Sequence, residues 1–145
     1  MKPPRPASRA SAPKVVKTRR GWRVALGGRS HREGHASEWL AAVWLMARGY
    51  QVLGFRLKTR SGEVDILARR GSVLAVVEVK RRATLEQALA ALGPDQYDRL
   101  LAAGRAVLRQ RPSLAGHVLR IDMVALAPGR FPRHRRGVVP VGRGG

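Results

Sequence analysis

The stretch G-E-V-D-I-L-A-R-R-G-S-V-L-A-V-V-E-V-K, running from Gly62 to Lys80, decides the reading of this chain. Two runs rich in Val, Ile and Leu, Glu63–Ala68 and Val73–Lys80, flank Arg70-Gly71. The segment therefore reads as a β-hairpin, with Gly71 free to take positive φ in the turn. Pairing centred on Arg70-Gly71 sets Ala68 opposite Val73, Ile66 opposite Ala75, Val64 opposite Val77 and Glu63 opposite Glu78. Because side chains alternate faces, Asp65, Glu78 and Lys80 then share one face, with Glu63 beside them and Leu67, Leu74 and Val76 further along. Val64, Ile66, Val77 and Val79 take the other face. Both faces are mostly apolar, as in a sheet covered on both sides, and the charges gather at the open end of the hairpin. A loop of odd length would send one strand's charges to the opposite face.

Upstream, Ser30-His-Arg-Glu33 fits the capping box that opens a helix, and Gly49 suits the position just past its end at Arg48. Leu40, Val43, Trp44 and Ala47 form the expected buried stripe, widened by Trp39, Ala42 and Met46. Glu38 is the one charge between Ala36 and Ala47 and needs a cation or an exposed angle, since an unpaired buried carboxylate is costly. Tyr50–Lys58 reads as a strand. Downstream, Arg81-Arg82 leaves the hairpin, and Thr84-Leu-Glu-Gln87 is a second capping box. Gly93-Pro94 breaks that helix, and Pro94 suits the first turn of the next. There Tyr97, Leu100, Leu101, Gly104, Val107 and Leu108 recur at helical spacing up to Arg111-Pro112. Val118–Leu126 is the last strand. Helix, three strands, helices and strand make an α/β domain, a central mixed sheet flanked by helices.

The chain has 145 residues, enough for one domain with a real core. It has no Cys, which excludes disulfides and thiolate metal sites, and no apolar run long enough to span a membrane. Its net charge is +20, unevenly spread. Residues 1–30 hold nine Lys/Arg and residues 128–145 hold five, with no acid in either, so the middle carries fifteen Lys/Arg against all nine acids. Residues 1–29 and 128–145 are Pro-, Gly- and Arg-rich and read as disordered basic tails around a domain at 30–127. Such basicity favours polyanions through counterion release, so nucleic acid is the expected partner.

Two carboxylates and an amine on one sheet face have a specific use. Asp65 and Glu78, on adjacent strands and offset diagonally, can share one hard cation. Mg²⁺ accepts one or two carboxylates while keeping several waters. Lys80, two residues from Glu78, can stabilise charge developing on a phosphoryl oxygen or position the attacking water. Glu38 adds a third acid if its helix packs over this end. The plain alternative is a solvated ion pair, because E-x-K is a short pattern. His31, His35, His117 and His134 show no metal-ligand spacing and read as surface or loop residues. Trp22 lies in the basic tail. Asp122 shares a strand face with Arg120 and reads as a structural ion pair. No phosphate-binding Gly-rich loop or acyl-transfer motif is present.

G-E-V-D-I-L and V-V-E-V-K-R-R resemble the YraN-like family of bacterial proteins, within the restriction-endonuclease-like PD-(D/E)xK superfamily and similar to archaeal Holliday-junction resolvases. The resemblance covers about Gly34 to Val124, including Gly49-Tyr50 and Arg120-Ile-Asp122-Met-Val124. It implies an αβββαβ core. It implies that Asp65, Glu78 and Glu38 hold Mg²⁺ or Mn²⁺, that Lys80 joins them in catalysis, and that the substrate is DNA, branched forms included, rather than RNA. Gln96 falls where related resolvases carry a Gln, although family members more often have Lys. The exit Arg81-Arg82-Ala83 is shorter than the family's Gly-containing loop. With Gln96, Arg60, Arg81 and Arg82 are the expected nucleic-acid contacts. A bacterial cytoplasmic or nucleoid location and a homodimer are further expectations. A nucleic-acid-binding protein that keeps the fold without catalysis, or one docking on RNA, is the alternative.

Overall fold

The computed structural model describes residues 32–140. The elements are α1 (Arg32–Ala47), β1 (Gln51–Thr59), β2 (Gly62–Arg70), β3 (Val73–Arg81), α2 (Leu85–Leu89), α3 (Pro94–Gln110), a single 3₁₀ turn (Pro112–Leu114), β4 (Val118–Leu126) and β5 (Arg133–Arg135). They build a five-stranded mixed sheet in the order β1-β2-β3-β4-β5. The first three strands form an antiparallel meander, β4 runs parallel to β3, and β5 pairs antiparallel with β4 at the edge. A parallel pair cannot be closed by a tight turn, and α2 with α3 supplies the crossover. The expected αβββαβ order is present, with one strand added.

The hairpin register differs from the sequence reading by two residues. Ile66 pairs with Val77 and Arg70 with Val73, so the turn is Gly71-Ser72, with Gly71 at φ 57°. The turn moves one residue along, and each residue's partner moves by two. A shift of two preserves the expected faces within the paired stretch Ile66–Arg70 and Val73–Val77.

Two apolar clusters cover the sheet. On one face, Ala41, Ala42 and Leu45 of α1 pack on Ile66, Ala68, Ala75, Val77, Val124 and Leu126. On the other, Leu100, Ala103 and Val107 of α3 pack on Leu67, Leu74, Val76, Ile121 and Met123. The α3 stripe and the Thr84 cap, whose hydroxyl accepts from Gln87 N at 3.1 Å, match the sequence reading. The α1 stripe does not. Trp39, Leu40, Val43 and Met46 are exposed, and the small Ala41 and Ala42 face the sheet. A helix that is apolar all round has no moment to orient it, so the closest-packing face is the buried one. The helix ends as expected, with Gly49 N bonding Met46 O and Tyr50 N bonding Leu45 O. The capping box at Ser30 lies outside the described residues.

Strict alternation also fails along β1, at a register shift between Val52 and Gly54 and again between Phe55 and Leu57. Phe55 pairs with Ile66, and both belong to the α1 side. Leu57 pairs with Val64, two residues on, and both belong to the α3 side. Between them sits Arg56 at φ 48°, in the left-handed region. A non-glycine residue there is strained, and the β1–β2 ribbon turns over at that point. Val64 therefore leaves the face assigned to it from sequence.

The second basic tail needs correcting for its described part. Residues 133–135 form β5, Val138 N donates to Ile121 O at 2.8 Å, and Val138 is buried. The expectation for residues 1–29 falls outside the described residues. Among the described residues, no helix is long and apolar enough to cross a membrane.

Candidate active site

The β2–β3 ladder stops at Ile66–Val77, and beyond it the Asp65 carboxylate replaces a backbone acceptor. Val79 N donates to Asp65 Oδ2 at 2.8 Å. Glu78, buried in the sheet, receives two donors on the same oxygen: Lys80 Nζ at 3.0 Å and Gln96 Nε2 at 2.6 Å. Arg56 bridges two further acids, with Nη1 3.4 Å from Glu38 Oε2 and Nη2 3.5 Å from Glu63 Oε1. These groups border a cleft of about 280 Å³ lined by Gly62, Glu63, Asp65, Glu78, Gln96 and Arg99 over Leu100. Gly62, at φ 145°, occupies backbone space that favours glycine and leaves the cleft wall bare.

The electrostatics are those of an acid cluster short of positive charge. Burial, then the Glu78 charge, pushes the Asp65 carboxyl up to about 8, against the pull of the Val79 N–H; Glu38 and a hydrogen bond with Glu78 raise it further. Burial raises Glu38 to about 7; Arg56 opposes this, and Glu63 and Glu78 add to it. Near neutral pH, with no cation present, the Asp65 carboxyl retains its proton, because burial and then the neighbouring acidic charge disfavour its ionised form.

The structure brings Asp65, Glu78 and Gln96 to one cleft, with Lys80 and Gln96 both on Glu78 and Glu38 close enough to act on Asp65 through its charge. Gln96, expected on nucleic acid, is committed to Glu78. Arg60, Arg81 and Arg82 are exposed; Arg82 Nη1 donates to Arg81 O at 2.8 Å. Two residues that the sequence did not single out also belong to this region. Arg99 lines the cleft from α3, and its i+3 spacing from Gln96 was the signal that could have found it. Arg56 was read only as a basic strand residue. No local pattern announces its left-handed backbone.

Histidines read as surface groups are placed differently. His35 is buried on α1, and the side chain of His134 is buried beside Asp122. Asp122 accepts from Arg120 Nε and Nη2 at 2.8 Å each and from Gly137 N at 3.0 Å, and His134 Nε2 lies 2.8 Å from it. The expected Arg120–Asp122 pair is therefore real and larger than expected, extended by Tyr50 Oη, which lies 2.5 Å from Arg120 Nη2.

The fit to a divalent cation can be judged from the donors. Among the described residues, no three His, Asp or Glu side chains are disposed to hold an ion. Asp65 and Glu78 offer carboxylate oxygens to one cleft, which leaves room for water. That matches the needs of Mg²⁺, which retains several waters, and the raised Asp65 carboxyl is the mark of a pair that a cation would relieve.

The model of the uncharacterised protein family UPF0102 matches residues 37–126. That span takes in Glu38, Asp65, Glu78, Lys80, Gln96 and Arg99. A UPF0102 protein of Caulobacter vibrioides is 50% identical over 114 residues, covering 79% of this chain and 91% of its own length. One from Caulobacter sp. strain K31 is 51% identical over 116 residues, covering 80% and 84%. One from Maricaulis maris is 47% identical over 103 residues, covering 71% and 81%. The chain belongs to the UPF0102 family, the YraN-like proteins.

Proposed function

We propose that the protein is a metal-dependent phosphodiester hydrolase of the restriction-endonuclease-like class, acting on DNA. The observation that carries this reading is that Asp65 and Glu78 line one open cleft, with Lys80 Nζ 3.0 Å from Glu78. Asp65 and Glu78 would hold the ion, and Glu38 would tune the field around it. When bound, Mg²⁺ or Mn²⁺ lowers the pKa of a water and neutralises charge on a phosphoryl oxygen.

The chain's own residues do the rest. Val79 N–H fixes the Asp65 carboxylate, and Gln96 orients Glu78 from α3. Lys80 lies beside the reacting oxygens and offsets negative charge as it develops there. Water attacks phosphorus, a P–O ester bond breaks, and the leaving alkoxide takes up a proton. The net charge of +20 supports a polyanionic substrate. It equally suits a nucleic-acid-binding protein that retains the fold without cutting.

The test is a panel of branched, duplex and single-stranded DNA with Mg²⁺ or Mn²⁺. Wild-type protein cuts at least one substrate. Asp65→Ala lowers the rate by at least about 10²-fold, the scale of one lost electrostatic stabiliser, while binding is nearly unchanged. Equal cutting by both proteins, or none by either, overturns the proposal.

A further inference from the structure

Arg99 stands apart from the other cations of this region. Arg56 is occupied by Glu38 and Glu63, and Lys80 by Glu78. Arg99 lines the same cleft as Asp65 and Glu78, is exposed, and forms no ion pair among the described residues. Its stem is nevertheless placed. A Cβ at Gly62 would lie 3.6 Å from Arg99 Cβ and 3.8 Å from its Cδ, so the side chain runs along the glycine wall. Gln96 and Arg99, three residues apart on α3, face the same way. One is spent on a cleft carboxylate, and the other is left with its guanidinium at the rim.

We propose that Arg99, lying along Gly62, forms a phosphate subsite at the rim of the acidic cleft. The subsite takes a non-bridging oxygen of a nucleic-acid phosphodiester. It rests on the hydrolase reading for its substrate class. A cleft holding Glu63, Asp65 and Glu78 repels an anion that meets only carboxylates. A phosphodiester presents two non-bridging oxygens, so one can face the carboxylate-held cation and the other the guanidinium. Arg suits this position better than Lys because its planar fork matches phosphate oxygens. Gly62 contributes by absence, since a side chain there would occupy the space beside the Arg99 stem.

The probe is a thymidine dinucleotide with one internal phosphodiester, titrated into the full chain with millimolar Mg²⁺ and followed by NMR. Such a probe spans only about 7 Å, so it offers the cleft a single phosphodiester. Arg99→Ala weakens its binding about tenfold, the effect of losing one charge-assisted contact. Arg99→Lys recovers part of the loss. Arg105→Ala, which removes an exposed charge further along α3, leaves binding within about twofold, a solvated surface charge being worth little. Circular dichroism confirms that each variant is folded. Equal binding by Arg99→Ala and Arg105→Ala, or no binding by wild type, overturns the subsite. Cutting is assayed in parallel. Arg99-dependent binding without cutting of any polynucleotide overturns the hydrolase reading and leaves the subsite standing. Cutting that is indifferent to Arg99→Ala, with binding also unchanged, overturns the subsite alone.

Discussion

Asp65 on β2 and Asp122 on β4 are carboxylates of one sheet with opposite surroundings. Asp122 is fully buried and ringed by Arg120, His134 and the Gly137 N–H. Burial alone would raise its carboxyl, but His134, Arg120 and Gly137 outweigh it and hold the group below the usual carboxylate range. Asp65 has one backbone donor, and its acidic neighbours push it the other way, to about 8. The first carboxylate is satisfied by the protein and ties the C-terminal segment to the sheet. The second is left short of positive charge beside an open cleft. Perturbation of that kind marks functional sites more often than structural ones.

The largest effect expected from this contrast is on stability. Asp122→Ala leaves Arg120 without its carboxylate partner and lowers unfolding free energy by about 3–5 kcal/mol, measured by urea denaturation. Asp65→Asn removes a crowded charge and costs less than about 1 kcal/mol. Equal losses in the two variants would break the distinction.

The pH response sharpens it. The folded chain holds the Asp65 proton between its ordinary value near 3.8 and about 8, where the unfolded chain has lost it. Stability from this group is therefore greatest at low pH and declines as pH rises through that window. Glu38, raised to about 7, adds a decline of the same sign. Asp122, held low, acts oppositely: its contribution is present above about 4 and lost below. Between pH 5 and pH 8 the wild-type urea midpoint falls further than that of Asp65→Asn, and millimolar Mg²⁺ offsets part of the wild-type fall. Parallel curves for the two proteins, with or without Mg²⁺, would show that Asp65 carries no such strain.

The smallest effect lies at Arg56. At φ 48° a β-carbon is disfavoured, so Arg56→Gly is more stable than Arg56→Ala by about 1 kcal/mol. Both lose the same contacts with Glu38 and Glu63, so chemical denaturation of the pair isolates the backbone. No difference between them would mean that the turned-over ribbon at Asp65 stores no strain.

The legibility of these features follows the range of the forces behind them. The hairpin charges were readable because alternation depends only on parity, which survives the move of the turn to Gly71-Ser72. The α3 stripe and the Thr84 cap were readable because polar and apolar positions differ sharply there. On α1 the apolar residues run all round, and local pattern assigned Leu40 and Val43 to a core that Ala41 and Leu45 form instead, with Ala42 buried as expected. Residues 133–138 read as unstructured because they lie in a stretch, 128–145, rich in Arg, Pro and Gly. Asp122, a buried charge distant in sequence, supplies the anchors that order His134 and Gly137.

By itself, the sequence determined the element order, the two-sided sheet and the shared face of Asp65, Glu78 and Lys80, since propensity and alternation act between near neighbours. Tertiary structure alone decided that Gln96 and Lys80 converge on Glu78, that Arg56 bridges Glu38 and Glu63, and that Arg99 lies along Gly62. Those contacts join α1, the sheet and α3, whose relative placement is settled by packing and by the cost of burying unpaired charge.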